Sequence, residues 1–385
     1  MRRTGPDANF LPPMPHYLDA MQPSPNHLSL LTSILLFGAL AHAQAPSHLV
    51  VPAAYTSTDA VSYAWIAGAS RDVRQQTLIG ASHLQNLIGH PLLALELRRT
   101  AANETYQGGA ANLTVVLSTS PNEPLRCDSE FAGNVGQDAL AVFSGTVTLP
   151  TSPPATGPSV AWSANNVVRI AFQTPFVYHG GTLCIDLVGQ PIAGQNANWW
   201  MADAEFEDLR GTAVEVGAGC GLYGGPQHQW SFTSERTLLP GAHASFWAYG
   251  PANAFAIAAF GVSSPVPIPL QSLGMSAPGC SLHLQPGLVM STQITLFEPE
   301  LHPLLQSRGG VAEARLRIPN STGMFGLSMT TQWLDLSQPA TSNAIQWTVA
   351  SSMPTIDMAL VDGVPNDPRG LVSVHHAHVW RIEHL

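Results

Sequence analysis

From Val50 onward, hydrophobic and polar positions alternate in short runs, broken every eight to twelve residues or so by Gly, Pro, Asn or Ser. Period-two alternation places successive side chains on opposite faces of an extended chain, so these runs predict half-buried β-strands. ANLTVVLST, NVVRIAFQTPF, GTLCIDLVG, HASFWAYGP, CSLHLQPG, EARLRIPN, AIQWTVASS and VSVHHAHVW all read this way. The one early stretch with a helical look is SRDVRQQTLIGASHL, and Gly80 weakens it. Strands without intervening helices predict an all-β fold: two antiparallel β-sandwiches in tandem, jelly-roll or immunoglobulin-like. No repeat of fixed period points to a propeller or solenoid.

The chain has 385 residues, long for one core at roughly 150 residues per domain. Composition loosens between Gly211 and Gly225, in GTAVEVGAGCGLYGG, so the sandwiches are expected over 46–210 and 211–385. Ahead of them, LSLLTSILLFGALAHAQA carries an apolar core from Leu28 to Leu40, then small residues at Ala41 and Ala43. That is the form of a secretory signal peptide over 1–43, cut before Gln44, with Met21 as an alternative start. The run is short of the ~20 residues of a membrane span, and no stop-transfer cluster follows, so no transmembrane anchor is expected in the mature chain.

Only 10% of residues are charged; all 15 basic residues are arginine, and the formal charge is −10. Arg2-Arg3 and Arg98-Arg99 are the largest basic clusters, too little to neutralise a phosphate backbone or to dock on an anionic membrane. Nucleic acid is thereby set aside as a partner. Export makes the four cysteines, Cys127, Cys184, Cys220 and Cys280, readable as two disulfides with three possible connectivities. If each sandwich closes its own bridge, the pairs are Cys127–Cys184 and Cys220–Cys280.

Candidate chemistry is sparse. No nucleophile elbow, zincin helix, phosphate loop or dinucleotide fingerprint occurs, so no catalytic residue and no cofactor is assigned. Two stretches stand out. In QNANWWMADAEFEDLRG, strand parity turns Trp200, Ala202, Ala204 and Phe206 to one face and Trp199, Met201, Asp203 and Glu205 to the other. Trp200 then reads as core, the carboxylates as alternating into water, and Trp199, Asp203 and Glu205 as a candidate ligand-binding set. Calcium there would need six to eight oxygens, more than the stretch supplies. In His375-His376-Ala377-His378, His376 and His378 share a face as an H-x-H metal pair would. A third ligand would have to come from a neighbouring strand, His384 or a glutamate; the plainer reading is a partly exposed last strand in which Val372, Val374 and Trp380 share that parity. Trp65, Trp162, Trp230, Trp247, Trp333 and Trp347 sit within apolar alternation and read as core.

VVPAAYTSTDAVSYAWIAG, ELRRTAANETYQGG, WSANNVVRIAF and TPFVYHGGTLCIDLVG resemble a group of uncharacterised exported all-β proteins of planctomycete-type bacteria. The second half is similar to a cysteine-containing β module of those secretomes, through Gly217-Ala218-Gly219-Cys220-Gly221, Ala277-Pro278-Gly279-Cys280-Ser281-Leu282 and the segment Thr331 to Ile345. The resemblance implies export, all-β modules and the pairing Cys220–Cys280; it implies no activity. The chain is thus expected to be an exported, non-enzymatic β protein of the cell envelope or extracellular matrix, with polysaccharide or other envelope proteins as partners. A carbohydrate-binding module is the first alternative. A secreted hydrolase whose carboxylates are scattered over loops is the second.

Overall fold

Eight strands build the first sandwich: Ser47–Val51, Val73–Ile79, Pro91–Arg98, Gly109–Ser120, Leu140–Leu149, Val167–Val177, Thr182–Pro191 and Trp380–His384. Numbered among these eight, one sheet runs first–eighth–third–sixth and the other second–seventh–fourth–fifth, the latter extended to six strands beyond the second by Met358–Gly363 and Leu371–Ser373, every pair antiparallel. That interleaved order is a jelly roll. Alternation explains it strand by strand: Ala111, Leu113, Val115 and Leu117 of the fourth strand face one apolar core with Leu95 and Leu97, Ile185 and Leu187, and Trp380 and Ile382. In the computed structural model residues 45–385 are described, except Val61, Ser70, 196–199, 222–230, Ala252, Ile294, 297–309 and the side chains of 289–293, 295 and 296. The expected signal peptide, Trp199 and Trp230 lie outside the described residues.

Between the seventh and eighth strands the chain builds a second sandwich. Its five-stranded sheet runs Thr212–Val216, Ala340–Thr348, Ser328–Asp335, Phe255–Pro269, Ser281–Gln293. Its four-stranded sheet runs Ser231–Thr233, His243–Gly250, Gly310–Arg317, Thr295–Leu296. Phe246, Phe260, Trp333 and Trp347 fill the core between them among small alanines. Thr212 and Thr348 are register partners, so the sandwich begins and ends at one place.

The division at 46–210 and 211–385 is therefore corrected at its far end. From Met358 the chain is back in the jelly roll: Met358–Gly363 pairs with Val73–Ile79, and Trp380–His384 fills the gap between Ser47–Val51 and Pro91–Arg98. Without that last strand, both neighbours would present unpaired backbone along a facing edge. VSVHHAHVW likewise is not one strand but three short ones, Leu371–Ser373, His376–His378 and Trp380–His384, in three different sheets.

Three further expectations change. The helical look of 70–84 gives way to a strand, Val73–Ile79, because Val73, Gln75, Thr77 and Ile79 are all needed inside a central sheet. Gly80 ends it: a Cβ there would lie 2.0 Å from the Asp357 carboxylate. Cys220 and Cys280 are disulfide-bonded, whereas Cys127 and Cys184 are free. Those two thiols pack into one apolar cluster with Leu78, Phe131, Ala359 and Val361. Burial pushes the Cys127 thiol up to about 12, with Asp128 adding to it, and raises Cys184 further, so both stay protonated in the folded core. Finally, Trp333 and Trp347 are core as expected, but Trp65, Trp162 and Trp247 are partly exposed.

Candidate functional site

Both stretches singled out in the sequence meet in one small sheet. The chain leaves the jelly roll along Met201–Phe206 and, after rejoining it at Met358–Gly363, runs back beside that strand as His376–His378; these two strands pair, and Ser62–Trp65 pairs on the far side of the outgoing one. The register sets His376 opposite Phe206 and His378 opposite Ala204, with Asp203 opposite Tyr63. The sheet is a seam in which the chain on its way to the second sandwich meets the chain that has come back from it.

Asp203 and Glu205 do not alternate into water. Asp203 is fully buried and forms an ion pair with Arg98, itself fully buried, while its other oxygen accepts from the Ala60 amide at 2.8 Å. Arg98 also donates to the carbonyls of Val160 and Thr58, at 3.0 and 2.6 Å, and its guanidinium lies 4.7 Å from the Trp162 ring centroid. Burial raises the Asp203 carboxyl, and the Arg98 and Ala60 hydrogen bonds pull it back. Fully buried and so engaged, this aspartate presents no exposed oxygen to calcium or a sugar. Glu205 is half-buried with one oxygen, Oε2, lacking a partner, and burial first and Glu207 second raise its pKa.

A second carboxylate lies close by. Asp59 accepts from the Ala101 amide at 3.0 Å, and burial first and Asp203 second raise it to about 6. This is the nearest approach, among the described residues of the seam, to the coupled carboxyls a hydrolase would use. Neighbouring Arg99 is buried too, without a carboxylate: its guanidinium donates to the carbonyls of Thr100, Ala102, Glu104, Ser152 and Pro153 and lies 3.9 Å from the Tyr106 centroid.

The opposite face carries the histidines. His378 is fully buried over the small Ala202 and Ala204, and its Nε2 meets the Trp65 carbonyl at 3.2 Å. A carbonyl only accepts, so Nε2 carries the hydrogen, and Nδ1 faces no partner. His375 Nδ1 and His376 Nε2 are likewise without partners, and both rings pack edge-on against Phe206, at 5.2 and 5.8 Å. Burial depresses all three, His375 and His378 to about 4. The weak metal pair His376 and His378 therefore shares a face but gathers no third ligand among the described residues.

Among the described residues, the grouping of His, Asp and Glu whose donor atoms do converge is elsewhere, with no local sign of it along the chain: His48, Glu96 and Glu383, from three strands of the jelly roll. Arg381, Glu96 and Arg169 stand side by side across that sheet. Arg169 bonds Glu383 at 2.7 Å and lies 3.4 Å from Glu96, and Arg381 pairs with Glu96's other oxygen. Both carboxylates already hold guanidinium groups, so the cluster is a strand-crossing ion network rather than an open cation site. The residues that sequence reasoning missed are Tyr63, half-exposed and on the face of Asp203, and Trp65 two residues on, with Arg71 6.0 Å from its ring. Comparison with known proteins adds no relative: no family model, curated protein or solved structure matches the chain.

Proposed function

We propose that the protein is an exported, non-enzymatic β protein that acts structurally in the cell envelope or extracellular matrix. The observation that carries this reading is the sealed Arg98–Asp203 pair: the seam residues that could have done chemistry hold the chain to itself instead. The Cys220–Cys280 bond supports an oxidising destination, as does the resemblance to exported planctomycete-type proteins. Arginine without lysine suits such a role, since guanidinium groups bridge carboxylates between strands, as Arg169 does with Glu96 and Glu383. Fractionation tests it: the mature chain is expected in the insoluble envelope or matrix fraction, and recovery in the cytoplasm with Cys220 reduced would overturn it.

A second reading, carbohydrate binding, is favoured by Tyr63, 50% exposed at the strand edge with Trp65 and Arg71 beside it. A flat ring at a surface edge matches the apolar face of a pyranose. Retention on an insoluble polysaccharide that Tyr63→Ala abolishes would select this reading over the first.

A further inference from the structure

The junction between the two sandwiches is built from histidines. Three lie in the four-residue return segment, His375, His376 and His378, and a fourth, His243, bonds the Cys127 carbonyl at 3.1 Å from the second sandwich. Around His243 the chain closes an apolar contact in which Leu239, Ala242 and Ala350 meet Cys184, Leu78 and Phe131 of the jelly-roll side. The return strand is held to the outgoing one by three register pairs, from His376 to His378, and by flanking bonds from the Glu207 amide to the His375 carbonyl and from the Val379 amide to the Asp203 carbonyl, each 2.9 Å.

A proton added to His375, His376 or His378 at its unpartnered nitrogen finds no acceptor among the described residues. His375 Nδ1, His376 Nε2 and His378 Nδ1 are buried and face no partner. The charged groups around them give little relief. Arg236 stacks 4.6 Å over Phe206, against which His375 and His376 both rest, so a second positive charge arrives beside a first. Asp208 favours a charged His375, but it is exposed and paired with Arg210. Glu207 is held by the Thr355 amide at 2.8 Å, Asp203 by Arg98, and Glu205 lies on the other face of the sheet beside Glu207. His378 meets only the Trp65 carbonyl, Trp380 at 5.5 Å, and His376. His376 meets the Tyr63 backbone. His243 faces Asp128, which favours its charged form, and Arg315 and Arg317, which oppose it.

We infer that this seam is acid-sensitive: protonation of its histidines releases the strand His376–His378 from the outgoing strand Met201–Phe206 while both sandwich cores stay folded. Charging a buried imidazole is disfavoured by desolvation, and the depressed values of all four rings agree with the geometry.

The experiment is hydrogen–deuterium exchange on the mature chain at pH 7.5 and 4.5, corrected for intrinsic rates. Peptides covering 201–207 and 372–380 report on the seam; those covering 183–187 and 330–334 report on the two cores. The seam is expected to lose protection at least tenfold at pH 4.5 while both cores keep theirs. Seam and cores retaining protection together, or losing it together, would overturn the inference. His375→Phe with His378→Phe is expected to keep the seam closed at pH 4.5. Should that variant not fold, His376→Phe, at the one of the three that is only partly buried, is expected to shrink the acid loss. An unchanged loss in whichever variant folds also counts against the inference.

Discussion

The jelly roll and the sandwich spliced into it close themselves by opposite means. The inner sandwich is local: its ends meet at Thr212 and Thr348, and a covalent bond joins Cys220 to Cys280 across 60 residues. The outer one gathers strands from the two ends of the described chain, Ser47 beside His384, and its two cysteines stay unbonded. What closes it is polar: the buried Arg98–Asp203 pair at the seam, and the partly exposed network of Arg381, Glu96, Arg169 and Glu383 across the outer face of one sheet. Where closure is local, a disulfide can remove chain entropy directly; where it is remote, charge pairs fix which strand meets which.

The sharpest way to break this comparison is to remove one partner of the outer lock. Asp203→Ala leaves the Arg98 guanidinium buried and unpaired, which costs about 3–5 kcal/mol in comparable pairs. Urea unfolding of this variant should show the jelly roll losing its midpoint first. Replacing both residues by Leu and Met should recover most of the loss, since an apolar pair of like volume is often as stable as a buried ion pair. On the inner side, Cys220→Ser with Cys280→Ser removes a loop constraint worth up to about 4 kcal/mol. That loss should appear in the near-ultraviolet signal of Trp333 and Trp347, with Cys127 and Cys184 remaining unreactive to thiol reagents until the jelly roll itself unfolds.

Acid sharpens the contrast further. His378 titrates near 4 when folded and near 6.5 when unfolded, so the unfolded chain binds its proton first as pH falls. Its contribution is complete above pH 6.5 and declines through the window down to about 4, a total of about 3 kcal/mol at 1.36 kcal/mol per unit. His378→Phe should therefore flatten the fall in denaturation midpoint between pH 7 and 4.5. Asp59 works in the other direction: raised to about 6, it favours the folded state in acid, and that favour is lost as pH rises through 6. Asp59→Asn should raise stability at pH 7.5 relative to pH 5, by about 1 kcal/mol after allowing for its partial exposure to solvent.

Legibility in the sequence followed the range of the interaction. Alternation in ANLTVVLST or GTLCIDLVG is a property of a dozen neighbouring residues or fewer, so these strands could be read directly. The disulfide could be read as well, because the cysteine-bearing motifs of the second module suggested their own pairing. Strand parity in NWWMADAEFED correctly turned Trp200, Ala202 and Ala204 inward. It failed for Asp203 because period-two logic equates charge with water, and the counter-charge that lets Asp203 be buried sits 105 residues away at Arg98. Val73–Ile79 looked helical for a related reason: Arg74, Gln75 and Gln76 are polar, yet hydrogen bonds from Gln76 to Asp186 and the Phe131 carbonyl make Gln76 a satisfied interior residue. The return of residues 358–385 to the first sandwich left no local mark at all. Strand pairing between Ser47–Val51 and Trp380–His384 is decided by the edge each must cover, not by the composition of either.

The spliced architecture stands on that last pairing, and one cross-link tests it. Register partners in an antiparallel pair lie within disulfide reach, and Ser47 and His384 are such partners at positions outside the core. The variant Ser47→Cys with His384→Cys, oxidised under native conditions, is predicted to form the 47–384 bond in high yield, with both sandwich signals unchanged. A folded protein in which that bond does not form would place the last strand elsewhere, and the spliced architecture with it.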